Sequence, residues 1–282
     1  MYEIIAKDLV SGYYNHPVLN GISFCISEPG IYLVLGRNGA GKTTLFRTLA
    51  GIIPPLKGDV RINGKRPYYE TEIRKKFAFL SHLNAIPEGF TVREILTTFA
   101  SIEDVNETSV DEVVELVGIG DVIERYFNEL SQGLKRRVSI AKSLLGVKDL
   151  YILDEPTTNL DPKVAADLRK FIVKISSEKI VLYSSQNLYE ANELSSRILA
   201  LDQGKLIYFG DIESIAKTKY KIGIRADGVE QVFPSIQKEG RYYIFDLNDS
   251  NEVQEVIDHL RKEGISIKEV KEMHNPLEDI FG

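Results

Sequence analysis

The stretch "IYLVLGRNGAGKTT", residues 31 to 44, restricts the fold of this chain more than any other segment. Its first five residues are apolar with no polar face, which suits a strand covered on both sides in a parallel sheet and points to an α/β fold. The loop that follows, "GRNGAGKTT" from residue 36 to 44, fits G-x-x-x-x-G-K-[ST]. Gly39 and Gly41 let the backbone curl so that successive N–H groups point at phosphate oxygens. A helix read from Gly41 to Ala50 aims its partly positive N-terminus at the same place. Lys42 is placed to reach β and γ phosphates, and Thr43 to offer its hydroxyl to Mg²⁺. Gly36, Arg37, Asn38, Ala40 and Thr44 complete the expected nucleotide-binding set. A ligand-free glycine turn is the alternative, and the order of strand, loop and helix argues against it.

"LYILDEPTTNLD", residues 150 to 161, supplies the second half of such a site. An apolar strand delivers Asp154 and Glu155 at its C-terminal end, where open α/β sheets bind ligands. Asp154 suits a Mg²⁺ partner acting through bound water. Glu155 suits a carboxylate that polarises a water attacking a γ-phosphate. Alone, the pair could equally end a strand before Pro156; beside a phosphate loop the chemical reading is the stronger.

Between the two lies a helical stretch. "TVRE" and "SVDE" both match the capping box, with Thr91 paired to Glu94 and Ser109 to Glu112, and Gly118 can stop the second helix. A third helix starts near Gly133 with Leu134, Val138, Ala141 and Leu145 on one stripe. It opens on "LSQGLKRR", residues 130 to 137, where Lys135, Arg136 and Arg137 read as a solvated helix face. After "LDEPTTNLD", Asp161 reads as an N-cap with Pro162 at the first helical position. "KIVLYSS" is a further core strand, and "RILALDQGKLIYFG" a hairpin turning on Gly204. Past about residue 215, short strands surround one helix, "EVQEVIDHLRKEG". The expected domains are therefore 1–215, with a helical insertion over about 84–145, and a small α+β domain over 216–282.

The three phrases "GRNGAGKTT", "LSQGLKRR" and "LDEPTTNLD", in this order and spacing, resemble the ATP-binding cassette (ABC) ATPases over about residues 1 to 215. The resemblance implies a P-loop NTPase core with an antiparallel β subdomain and a helical insertion. It also implies an Mg²⁺-dependent ATPase in which two chains stack head to tail around two ATPs. Leu130 to Leu134 match the "LSGGQ" turn, so Ser131, Gln132 and Gly133 are expected to contact the ATP held by the opposite subunit. Tyr13 matches the aromatic that stacks on adenine, with Tyr14 as second candidate. Asp161 matches a residue that crosses the dimer interface, in addition to its capping role.

Two positions depart from the family pattern. His82 stands where a glutamine is usual, and Gln186, in "SSQ", where a histidine is usual. Glu155, Gln186 and His82 form the expected catalytic set. Gln186 can donate a hydrogen bond but cannot carry a proton. His82 is either a poor replacement for an amide oxygen or a loop histidine without nucleotide contact. Slowed hydrolysis is the expectation.

Composition narrows the partners. Lys and Arg total 35 against 41 Asp and Glu, a net charge of −6, which argues against a nucleic-acid partner held by bulk charge. The single cysteine, Cys25 in "ISFCIS", reads as a buried small apolar residue in a reducing compartment. No apolar run approaches the roughly 18 residues of a membrane span, and the charged start does not read as a signal peptide. A cytosolic chain follows, reaching the inner face of the membrane through transmembrane permease subunits of the kind the resemblance implies. The loop "NAIPEGF", residues 84 to 90, is where such subunits are expected to dock. The ending "NPLEDIFG" resembles the "SLEDVF" of exporter ATPases and also reads as a short terminal helix. Rival functions are an ABC ATPase acting away from membranes and a nucleotide-gated clamp with little hydrolysis.

Overall fold

The computed structural model describes residues 2–14, 16–81, 86, 89–187, 190, 193–194, 197–214, 220–247, 250–273 and 280–281. It divides into two compact units, Met1–Phe209 and Gly210–Gly282.

Among the described residues, the first unit is built on nine strands: β1 (Ile4–Tyr13), β2 (His16–Ile26), β3 (Gly30–Leu35), β4 (Pro55–Ile62), β5 (Phe77–Leu80), β6 (Leu150–Asp154), β7 (Ile180–Ser185), β8 (Arg197–Asp202) and β9 (Lys205–Asp211). Six of them form one sheet in the order β5-β6-β7-β3-β8-β9. Neighbours from β5 through β8 run parallel. Every residue of β6 and β7 is buried, the signature of a sheet covered on both faces. Helix α1 (Lys42–Leu49) covers one face. There Tyr32, Val34, Ile152, Leu182 and Leu199 share a single core with Leu45, Phe46 and Leu49 of α1. The same core extends to a three-stranded antiparallel sheet, β2-β1-β4, through Ile4, Leu9, Ile22 and Val60. In β2 the alternation buries Ile22, Phe24 and Ile26 and leaves Cys25 exposed. The buried cysteine expected from sequence is therefore corrected: residue 25 has the opposite parity to the core-facing side chains.

Between β5 and β6 the chain forms α2 (Val92–Ile102), α3 (Glu107–Val117) and α4 (Gln132–Ser143). Thr91 and Glu94 make the expected capping box, with Thr91 Oγ1 accepting from the Glu94 N–H at 3.2 Å. The second box differs. Asn106 caps α3 by accepting from the Ser109 N–H, so Ser109 lies inside the helix. Asparagine and serine cap about equally well, and the earlier start adds most of a turn of helix. Helix α5 (Pro162–Ser176) starts at Asp161 as expected and buries Val164, Leu168 and Ile172.

The second unit holds a four-stranded antiparallel sheet in the order β11 (Gln237–Glu239), β12 (Tyr242–Leu247), β10 (Tyr220–Ala226), β13 (Ile267–Glu272). Helix α6 (Ser250–Lys262) contributes Leu260 to a separate core with Ile222, Ile224, Val229, Tyr243 and Phe245. The expected terminal helix falls largely outside the described residues.

Ile152 lies at the centre of β6 with no exposed surface, whereas Ile207 on β9 is 43% exposed. Ile152→Ala should destabilise by about 2–5 kcal/mol, while Ile207→Ala should change stability by about 0.5 kcal/mol or less. Urea unfolding of both variants checks this, and equal shifts would contradict the burial of β6.

Candidate active site

The phosphate loop follows directly from β3. Gly39 and Gly41 adopt φ of +81° and +106°, backbone that side chains with a Cβ rarely take. A Cβ on Gly41 would also stand 2.6 Å from Leu19 Cδ2. Helix α1 begins at once, with no side chain capping it. Its first-turn N–H groups have no partners within the helix and suit an anion. Lys42 is 6% exposed, and its Nζ donates to the carbonyls of Gly36 at 2.7 Å and Arg37 at 3.3 Å. Burial pushes its ammonium below the ordinary lysine range, against the pull of the Glu155 and Asp154 carboxylates.

Asp154 ends β6 and is 1% exposed. Thr43 Oγ1 donates to its Oδ2 at 2.8 Å, and Ser184 Oγ donates to its Oδ1 at 2.7 Å. Ser184 Oγ in turn accepts from the Glu155 N–H at 2.8 Å. Glu155 has φ +46° and Oε1 lies 3.9 Å from Lys42 Nζ. Gln186, one residue past β7, donates from Nε2 to the same Glu155 Oε1 at 2.5 Å. The structure thus brings Lys42, Thr43, Asp154, Glu155 and Gln186 to the C-terminal ends of β3, β6 and β7. Ser184 joins them although no sequence argument singled it out. Its only signal is a hydroxyl at the end of the apolar run "IVLYSS".

Ser131 caps α4, its Oγ accepting from the Leu134 N–H at 3.4 Å. Ser131 and Gln132 are exposed, and a Cβ on Gly133 would lie 3.4 Å from the Asn159 carbonyl. The solvated basic face expected for residues 135 to 137 is not what forms. Arg136 is 5% exposed, because its position on the helix turns it toward the sheet, where backbone carbonyls accept from it.

A family model described as ABC transporter matches residues 19–158. The chain is 31% identical to the ABC transporter ATP-binding protein YhcH of Bacillus subtilis (strain 168), over 98% of this chain and 93% of that protein. The chain belongs to the ABC transporter ATP-binding proteins. It is also 30% identical to the bacitracin transport ATP-binding protein BcrA of Bacillus licheniformis, over 88% of this chain and 76% of that one. A solved ATP-binding subunit of an ABC transporter superposes with a TM-score of 0.69 at 26% identity, covering 75% of this chain and 91% of the other.

The other residues expected at the site are spread over several elements. Tyr13 is half-buried, and its hydroxyl accepts from Arg47 Nη1 of α1 at 3.0 Å. Tyr14 is 97% exposed. Asp161 caps α5 through the Val164 N–H at 3.1 Å and pairs with Arg137. The Val164 N–H, with the Arg137 guanidinium, holds its carboxyl below the usual carboxylate range. Arg37, Asn38 and Gly39 are exposed and Gly36, Ala40 and Thr44 buried within the loop and its helix. His82 lies outside the described residues, as do residues 84, 85, 87 and 88 of the expected docking loop.

Ser184→Ala removes a hydroxyl that serves Asp154 Oδ1 and the Glu155 N–H together. It should cost about 1–3 kcal/mol in urea unfolding by stranding buried polar groups and lower ATP turnover. Ser184→Thr should restore most of both, and an Ala variant matching the parent in both would refute the bridging role.

Proposed function

We propose that this ABC ATPase dimerises around two ATPs and drives a separate membrane permease, working as an exporter. The observation that carries the reading is the cluster in which Thr43 and Ser184 hold Asp154 while Lys42 and Gln186 converge on Glu155. In this reading the loop from Gly36 to Thr44 cradles the phosphates, Tyr13 stacks on the adenine and Glu155 orients the attacking water. Ser131, Gln132 and Gly133 serve the partner's ATP, with Asp161 at the interface between the chains. The exposure of Ser131 and Gln132, at the start of a helix, supports that use.

Mg²⁺ fits the donors present. Thr43 Oγ1 and Asp154 Oδ2 are hard oxygens 2.8 Å apart. Among the described residues no group of three or more His, Cys, Asp or Glu could hold a metal by itself, so the ion would need nucleotide phosphates and water beside Thr43 and Asp154. When bound, the ion neutralises charge on the transferring phosphoryl group.

Among the described residues no helix is long and apolar enough to cross a membrane. Location at the inner face of the membrane therefore depends on permease subunits in this reading. Export draws support from the likeness to the bacitracin transport protein and from the ending "NPLEDIFG". Gln186 in place of an imidazole favours one alternative, a nucleotide-gated clamp that hydrolyses little.

The deciding experiment is Mg²⁺-dependent ATP hydrolysis by the purified chain over a range of protein concentrations. Turnover should rise faster than linearly with protein, stop with EDTA, and fall roughly 10²- to 10⁴-fold in Glu155→Gln. ATP binding without turnover would replace the homodimeric enzyme with the clamp or with a heterodimer. A second outcome concerns pH. Gln186→His should add a titration step near about 6.5 to the ratio of variant to parent turnover. A flat ratio from pH 5.5 to 8, roughly the range a histidine covers, would mean that a proton acceptor at position 186 has no part in turnover.

A further inference from the structure

Arg136 points inward from α4 toward the ends of two strands. Its Nη1 donates to the Ser81 carbonyl at 2.7 Å, just past β5. Its Nη2 donates to the Asp154 carbonyl at 2.8 Å and the Glu155 carbonyl at 2.7 Å, at the end of β6. Burial pushes the guanidinium below the ordinary arginine range, against attraction from the Asp154 and Glu155 carboxylates. A desolvated cation is a costly way to satisfy three carbonyls if satisfying them is its whole task.

The placement of those carbonyls gives the cost a purpose. Arg136 lies five residues after Ser131, about 7.5 Å along the helix axis. The helix that presents the Ser131 turn thus grips the backbone of Glu155 through a planar, multiply bonded side chain. Glu155 is also the residue with φ +46°, a backbone that neighbouring contacts must hold in place. We propose that Arg136 is a positioning residue that couples engagement of the Ser131–Gly133 turn by the partner's ATP to the orientation of Glu155 in its own chain. The proposal rests on the dimeric reading above. It makes each chain's hydrolysis sensitive to whether its partner is loaded, by a direct link rather than through the nucleotide.

The test compares the unsubstituted chain with Arg136→Gln, which can reach only part of the carbonyl set, and Arg136→Lys, which keeps the charge and most of the length. Turnover is followed against ATP and protein concentration. ATP affinity is measured by equilibrium binding in a Glu155→Gln background, and thermal unfolding reports folding. Arg136→Gln should lower kcat roughly tenfold or more and flatten the cooperative dependence on ATP, with ATP affinity unchanged. Arg136→Lys should recover part of the cooperativity. A purely structural arginine would lower the unfolding temperature and leave cooperativity per folded molecule intact, and that result overturns the proposal. Loss of folding in both variants overturns it as well, by assigning Arg136 to folding alone. If the unsubstituted chain itself lacks cooperative turnover, the dimeric reading fails and the coupling falls with it. That failure is seen before any substitution is made, so the two are distinguishable.

Discussion

The structure depends first on a carboxylate that has almost no access to water. Asp154 is 1% exposed, and a buried carboxyl group needs hydrogen-bond partners to be tolerated. Its two oxygens are met by hydroxyls from separate elements, Thr43 at the start of α1 and Ser184 in β7. Both bonds require that the phosphate loop, β6 and β7 end at one level. The parallel pairing of β6 with β7 and of β7 with β3 supplies that level. Burial of the sheet and construction of the site are therefore one requirement. A one-residue slip in β6 would turn Asp154 to the opposite face, away from both hydroxyls.

A second buried node fixes the neighbouring turn. Glu190 is 8% exposed and accepts from Thr157 Oγ1 at 2.8 Å, Tyr183 OH at 3.2 Å and Ser185 Oγ at 2.5 Å. Burial pushes the Tyr183 phenol far above its ordinary value, with the Glu190 carboxylate adding to the effect, so the phenol stays a donor. These bonds tie Thr157, two residues past Glu155, to the strand that leads into Gln186. Glu155 itself is held on three sides: its N–H by Ser184, its carbonyl by Arg136 and its side chain by Gln186. A left-handed backbone at a glutamate persists only when its surroundings over-determine it, and here they do.

Local signals carried much of this into the sequence. The phosphate loop, α1, the strand ending at Asp154, the Thr91 capping box and the Asp161 cap follow from short spacings with direct physical causes. Long-range consequences were hidden. Arg136 reads as a surface cation because helix periodicity does not reveal which carbonyls a neighbouring strand leaves open. Ser184 reads as a strand end because its partners lie 29 and 30 residues away. Cys25 shows the limit of composition: cysteine is often buried, yet strand parity decides, and residues 22, 24 and 26 take the core side. The Asn106 cap is not legible locally, because Asn106 and Ser109 are both good capping residues and local pattern does not choose between them.

The exchange at residue 186 has a consequence that geometry makes specific. An amide that donates to Glu155 Oε1 orients the carboxylate but cannot take a proton from it. In the proposed reading, with Glu155 as base, a proton gained from the attacking water would stay on that carboxyl group until solvent or product removed it. The Glu155 side chain is 15% exposed and Gln186 is exposed, so a path to water is open beside it. An imidazole would add a second proton acceptor at this point; an amide adds only direction. In the proposed mechanism the chemistry then falls on one carboxylate, and Ser184, Arg136 and Gln186 are the contacts that hold that residue in its left-handed backbone.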